Sequence, residues 1–219
     1  MFLASDVAII LGSFAVAALL IVFGWLLFYY QKSQIETTQR TITDVDLIKL
    51  FAEQPDGLLS PHRLAEITGM TVPQARMRLT SFHTVGLLSV SYNKKARYFY
   101  SLAEPYAEPP EVNLSQEPFL TVDDLLQLYA TDTDGQLTMQ EIILATRLPL
   151  EVVKREMAHF EKEGIVQQLY NMDMHGTTVR TKFFVLEEPY RSNPSSLQSR
   201  GTTLDLQLKE LLRDENLIV

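Results

Sequence analysis

The sequence predicts an α+β protein that is mostly helical: an N-terminal transmembrane helix, two copies of a small domain made of three helices and a β-hairpin, and a C-terminal helix. Three observations predict this class. They are an uninterrupted apolar stretch near the N-terminus, an internal repeat at an offset of 78 residues, and leucines at helical spacing near the C-terminus. The predicted boundaries are 1–35 for the anchor, 41–106 for the first domain, 107–118 for a proline-rich linker, 119–190 for the second domain, 191–203 for a flexible linker and 204–217 for an amphipathic helix.

Composition excludes several kinds of site. The 219 residues include no cysteine, so disulfides, thiolate metal sites and cysteine nucleophiles are ruled out. The net charge of −8 is unevenly distributed. Thr41–Tyr106 holds seven Lys/Arg against six Asp/Glu, whereas Glu111–Tyr190 holds six against fourteen. Because the two repeats differ so much in charge, we expect them to meet different partners.

The apolar stretch runs from Val7 to Tyr30 without an ionisable side chain. As a helix it would be about 36 Å long, which is sufficient to cross a bilayer. Its C-terminal end carries aromatic side chains that favour the headgroup level: Trp25, Tyr29 and Tyr30. Lys32 and Arg40 follow it, so the positive-inside bias places the C-terminal domains in the cytoplasm of a single-pass membrane protein, with the lipid bilayer as a partner. The alternative, a cleaved signal peptide, would need a preceding base and a shorter apolar core.

The first repeat contains signals for three helices and a hairpin. Leu47, Leu50 and Phe51 recur at helical spacing after a Thr43/Asp44 cap. Ser60 caps a second helix that ends at Gly69, and Thr71 begins a third, with Pro73 in its first turn. The third helix buries one stripe of apolar residues: Ala75, Leu79 and Phe82. Two β-rich segments then predict a hairpin over 87–102.

The second repeat follows the same plan, with Leu125, Leu128 and Tyr129 in its first helix and Val153, Met157 and Phe160 in its third. The segments DGLLSPHRLAEITGMTVPQARMRLTSFHTVGLL and DGQLTMQEIILATRLPLEVVKREMAHFEKEGIV resemble the winged helix-turn-helix superfamily. That resemblance implies tandem winged helices. It leaves function open, because winged helices serve both nucleic-acid readout and protein assembly.

Ala130–Glu141 partly matches a calcium-binding loop. Asp132, Asp134 and Glu141 stand at EF-hand spacing, but Ala130 offers no oxygen at the first ligand position. The matching segment of the first repeat carries Arg63 opposite Glu141. A turn followed by a helix cap therefore explains both copies, and no metal or cofactor is expected.

Nucleic-acid binding is predicted for the first repeat. The outward face of its third helix carries side chains suited to base edges in a major groove: Gln74, Arg76, Arg78 and Thr80. The hairpin carries cations suited to phosphates: Lys94, Lys95 and Arg97. The alternative is an ordinary solvated surface, since the domain's charge is close to zero. The second repeat mixes charges on its third helix, which favours docking of a protein or pairing of two chains.

These features predict a membrane-anchored, DNA-binding transcriptional regulator. The alternative is a non-enzymatic adaptor that holds partner proteins at the cytoplasmic membrane face. An enzyme is not expected, because the four histidines are dispersed and no nucleophile–base or phosphate-loop spacing is present. The tail carries a helical stripe of leucines that packs either on the chain's own domains or on a partner: Leu204, Leu208, Leu211 and Leu212.

Overall fold

Each repeat consists of three helices followed by an antiparallel β-hairpin. The computed structural model describes residues 22, 41–108, 112–132, 134–172 and 179–218. The first repeat comprises α1 (Asp44–Glu53), α2 (Pro61–Thr68), α3 (Val72–Thr84), β1 (Leu88–Tyr92) and β2 (Tyr98–Leu102). The second comprises α4 (Val122–Thr131), β3 (Leu137–Thr138), α5 (Met139–Thr146), α6 (Leu150–Lys162), β4 (Val166–Met172) and β5 (Val179–Leu186), and is followed by α7 (Ser195–Asp214).

Local caps explain where the helices of the first repeat begin and end. The side chain of Thr43 accepts the Asp46 N–H, and that of Ser60 accepts the Arg63 N–H. Thr71 and Gln74 form a reciprocal capping box at the start of α3. Gly69 ends α2 in the left-handed region with φ 74°, where a residue without Cβ is not strained.

The cap of α6 differs from the cap of α3, its counterpart. Pro149 occupies the position of Thr71 and makes no side-chain cap bond. The Leu150 N–H at the start of α6 instead donates to Asp44 Oδ2 at 2.5 Å. Asp44 belongs to α1, so the first repeat supplies a cap for a helix of the second.

The two hairpins pair in equivalent registers. Leu88 faces Leu102 in the first, and Val166 faces Leu186 in the second. The loop before the second helix adds to each sheet: Leu59 forms a bridge with Tyr100, and β3 pairs with β5, giving the order β3-β5-β4.

The repeats share one apolar core. Buried side chains from both repeats and from α7 form a single cluster, and α1 packs against α5 across the boundary. Gln140 of α5 donates from Nε2 to the Pro105 carbonyl at 3.2 Å. The segment 112–120 is bonded to the second repeat, because Ser115 donates from its N–H and its hydroxyl to Asp124. The two repeats are therefore packed directly against each other.

The C-terminal helix is longer than predicted. It begins at Ser195 rather than 204, so the flexible linker predicted over 191–203 is wrong for most of its length. Leu197 is buried, and Gly201 lies so close to α4 that a Cβ at that position would be 3.6 Å from Val122. The helix packs on α4 and α6. Burial against the second repeat thus offsets the weak helix propensity of its serine-rich start.

The prediction of a single-pass membrane protein is corrected. Within the residues that the structure describes, no helix combines the length and apolar character needed to cross a bilayer. The stretch from Val7 to Tyr30, with Trp25, Tyr29 and Tyr30, lies outside the described residues apart from Val22. The predicted fold class and localisation are therefore wrong in their membrane component, and the described chain is a mixed α+β structure with small sheets.

Candidate nucleic-acid interface

The predicted contact residues of α3 have separate positions in the structure. Arg76 and Thr80 are exposed on its outward face. Gln74 is half-buried, and its Oε1 accepts from the Thr71 N–H at 3.0 Å and from the Thr71 hydroxyl at 2.9 Å. The carboxamide oxygen of Gln74 therefore serves the helix cap, which leaves Arg76 and Thr80 as the accessible polar side chains among the four predicted on this helix.

The position of Arg78 contradicts its predicted role as a nucleic-acid contact. It is only 3% exposed, and its guanidinium forms an ion pair with the Asp44 carboxylate while its Cζ lies 5.2 Å from the centroid of the Phe82 ring. Burial raises the pKa of Asp44, against the opposing effects of Arg78 and the Leu150 N–H. Arg78 connects α3 to α1 beside the second repeat and cannot reach a nucleic acid in this structure.

The hairpin presents its three cations to solvent. Lys94, Lys95 and Arg97 are all exposed. Asn93 shapes the turn, because its Oδ1 accepts the Lys95 N–H at 2.9 Å and the Arg97 N–H at 3.1 Å. These bonds fold the backbone so that the cations project from the tip of the ribbon.

An open cleft brings the hairpin and the helices together. It has a volume of about 470 Å³ and lies between α2, the first half of α3 and the base of the turn. Its lining includes cationic, acidic and aromatic side chains: His62, Glu66, Arg76, Arg97 and Tyr98. Glu66 is engaged by Arg63 in an exposed ion pair at 3.2 Å. Arg76 and Arg97, which are 21 positions apart in the sequence, therefore border the same concave surface.

The far end of α3 is occupied by the second repeat. Ser81 donates from its hydroxyl to Glu151 at 3.3 Å, and Lys182 donates from Nζ to the Thr84 carbonyl at 2.8 Å. The Lys182 stem also lies against Gly86. The second repeat therefore borders the C-terminal end of α3, while Arg76 and Thr80 stay exposed on its outward face.

A buried carboxyl group occupies the counterpart of Arg78 in the second repeat. Glu156 is completely buried, and its Oε1 accepts the Leu120 N–H at 2.7 Å. Burial raises the pKa of Glu156 to about 8, assisted by the nearby Asp124 and opposed by the Leu120 N–H. Its Oε2 has no hydrogen-bond partner among the described residues. The group stabilises the entry to α4 and is not part of the exposed face.

The calcium-like segment is used for helix capping. Glu141 Oε2 accepts from the Thr138 N–H at 2.7 Å and from its hydroxyl at 2.9 Å, and Asp132 Oδ2 accepts the Gln136 N–H. No cluster of His, Asp or Glu suited to a metal ion occurs in the part of the chain that the structure covers. Among the histidines, His83 bonds the Leu88 carbonyl through Nδ1 at 2.7 Å, and burial lowers the pKa of His159.

The tail leucines face inward. Leu204, Leu208 and Leu212 are buried against the second repeat, and Leu211 is half-buried. Packing on the chain's own domains, rather than on a partner helix, is therefore the arrangement in this structure.

Sequence reasoning overlooked several residues of this region. The sequence predicts Asp44 only as a possible cap of its own helix, whereas in the structure it pairs with Arg78 and caps α6. A signal was present in the repeat, since Pro149 stands opposite Thr71 and leaves α6 without a side-chain cap. Tyr98 and His62 were not singled out, because their place beside Arg76 depends on how the hairpin lies against α2 and α3.

Comparison with known proteins gives no family. No family model matches the chain, and no curated protein matches it. The predicted identity, tandem winged helix-turn-helix domains behind a single-pass membrane anchor, is therefore corrected: no family match supports the first part, and no described helix supports the second.

Proposed function

We propose that the chain is a non-enzymatic DNA-binding protein that regulates transcription and contacts duplex DNA through the first repeat. The contact residues are Arg76, Thr80, Lys94, Lys95 and Arg97. The observation that carries the proposal is that Arg76 and Arg97 border one open cleft, with Lys94 and Lys95 exposed beside it. Cations grouped on a concave surface match a phosphate backbone in both charge and shape.

Arg76 and the hairpin lysines are expected to make different kinds of contact, because they lie on different elements. Arg76 projects from a helix whose start is capped, whose middle pairs with Asp44 through Arg78 and whose end is bonded by Lys182, so the backbone at Arg76 is held in place. An arginine so placed suits a base edge. The lysines of the hairpin tip are exposed on long side chains, which suits phosphate contacts that position the protein without reading sequence.

Charge restricts the proposed contact to the first repeat. The segment Thr41–Tyr106 has a net charge of +1, and Glu111–Tyr190 has −8. An acidic second repeat repels phosphates, so the duplex would lie across the hairpin and the exposed face of α3 that carries Arg76 and Thr80, and away from α6.

The test is a titration of the 219-residue chain with a fluorescent random-sequence duplex over a range of salt concentrations. Removing Z phosphate contacts lowers the salt slope by about 0.9Z. Lys94→Gln/Lys95→Gln is therefore expected to weaken binding and to reduce the slope by about 1.8. Lys162→Gln, which removes an exposed cation from the second repeat, is the matched control and should change neither quantity. Equal binding by wild type and the double variant would refute the proposal.

A second candidate is a non-enzymatic adaptor that binds a protein. The observation that favours it is the burial of Arg78 at the junction of the repeats, which removes one of the predicted DNA contacts and fixes the two repeats as one body. On this reading α6 would supply the exposed contact surface. Absence of duplex binding at low salt, together with capture of a defined partner that is lost in Glu161→Lys, would favour the adaptor.

A further inference from the structure

Two tyrosines at the end of the hairpin expose large aromatic surfaces. Tyr92 and Tyr98 are direct cross-strand partners, and they are 77% and 46% exposed. Val90, two residues before Tyr92, is also exposed. A grouped set of large apolar side chains in water marks a contact surface more often than isolated exposed residues do.

The tyrosine pair lies on the side of the ribbon that faces α3. Side chains two residues apart in a strand share a face, so Tyr98 and Tyr100 point the same way. The Tyr100 hydroxyl lies 3.4 Å from Thr80 Oγ1 on α3. The same face therefore begins in the core and ends in solvent at Tyr92 and Tyr98, beside the cleft that Arg76 and Arg97 border.

We propose that Tyr92 and Tyr98 form a stacking platform for unpaired nucleobases, so that the ligand is duplex DNA with an adjoining single-stranded segment. This inference rests on the proposed function and names its substrate class. Exposed aromatic rings next to backbone-binding cations are the arrangement that single-stranded nucleic acid requires, since every base has a face that can stack. The tyrosine rings favour unpaired bases, and the positive charge of Lys94, Lys95 and Arg97 favours the phosphates of the same nucleic acid.

The second repeat offers an internal comparison. Tyr170 is the counterpart of Tyr92 and is 49% exposed. Its cross-strand partner is Lys182, whose Nζ lies 5.9 Å from the Tyr170 ring centroid and also donates to the Thr84 carbonyl. A fixed cation therefore lies over this ring, and no second tyrosine faces it across the strands. Tyr170 is accordingly a matched control with similar exposure and no proposed role.

The experiment compares the affinity of the 219-residue chain for two probes of the same sequence, a blunt duplex and that duplex with a thymidine extension. Stacking of one base corresponds to a preference of about tenfold for the extended probe. Tyr92→Leu/Tyr98→Leu should remove the preference, so that this variant binds the two probes with equal affinity. Tyr92→Phe/Tyr98→Phe, which keeps both rings, and Tyr170→Leu should retain it. A 2-aminopurine in the extension reports stacking directly through quenching of its fluorescence.

The outcomes separate this inference from the proposed function. Binding of both probes with equal affinity, or a preference that survives in the leucine double variant, would overturn the stacking platform and leave duplex binding intact. Failure to bind either probe at low salt would overturn both. A preference lost in the leucine variant and kept in the phenylalanine and Tyr170 variants supports the platform.

Discussion

Positions 78 and 156 occupy equivalent places in the two repeats, and both are buried, yet one holds a basic and the other an acidic side chain. Arg78 satisfies its charge with Asp44, whereas Val122 stands at the position equivalent to Asp44 in the second repeat. Glu156 instead accepts the backbone N–H of Leu120. A buried polar side chain needs a hydrogen-bond or ionic partner, so each of the two depends on one specific neighbour. The pair of positions shows why a residue on a predicted helix face cannot be assigned a surface role from periodicity alone.

Glu156 predicts a pH-dependent stability. The folded chain retains the Glu156 proton up to a pKa of about 8, while an ordinary glutamate releases it near 4.5. Between these values the folded state binds one more proton than the unfolded state, so this residue's contribution to stability falls as pH rises, and it levels off above pH 8. The slope is about 1.4 kcal/mol per pH unit at most.

Urea unfolding of wild type and Glu156→Gln at several pH values between 5 and 8 measures this contribution. The glutamine keeps an acceptor for the Leu120 N–H and cannot ionise, so the variant should gain stability relative to wild type as pH rises. Glu161→Gln alters an exposed glutamate of the same helix and should follow the wild-type profile. Parallel profiles for wild type and Glu156→Gln would contradict the prediction.

At the scale of elements, the helices were predictable wherever their boundaries are local. Ser60, Gly69 and Thr71 act through hydrogen bonds and dihedral angles within a few residues, so the helix boundaries that they set can be predicted from the sequence. Two features depend on distant parts of the chain and were missed. Arg78 is buried at the junction of the repeats, and the early start of α7 goes with the burial of Leu197 and the packing of this helix on α4 and α6. The cations of the cleft could be predicted from the sequence. Its shape could not, because its walls come from three elements.

The packing of α7 predicts unequal effects for two leucines on that helix. Leu208 is 0% exposed and Leu206 is 64% exposed. Leu208→Ala should lower the free energy of unfolding by about 2–5 kcal/mol, because it removes buried methyl groups and leaves a cavity. Leu206→Ala should change it by less than about 0.5 kcal/mol. Chemical denaturation measures both. Equal, small effects would show that α7 does not depend on packing against the second repeat.

For the whole molecule, the junction between the repeats predicts that the two repeats unfold together. Asp44 holds Arg78 in the first repeat and caps α6 in the second, and the apolar core continues between them. Loss of its carboxylate leaves Arg78 buried without a partner, which typically destabilises by about 3–5 kcal/mol. Because the core is shared, we expect Asp44→Ala to weaken both repeats.

Native-state hydrogen exchange tests this at two deeply buried positions, Leu79 in α3 and Met157 in α6. In wild type both amides should exchange with the same opening free energy, since they open in one global event. Asp44→Ala should lower both values equally, whereas Asp123→Ala, which removes an exposed carboxylate, should leave them unchanged. A loss of protection confined to Leu79 would mean that the repeats unfold separately, and that the orientation of Arg76 is set by the first repeat alone.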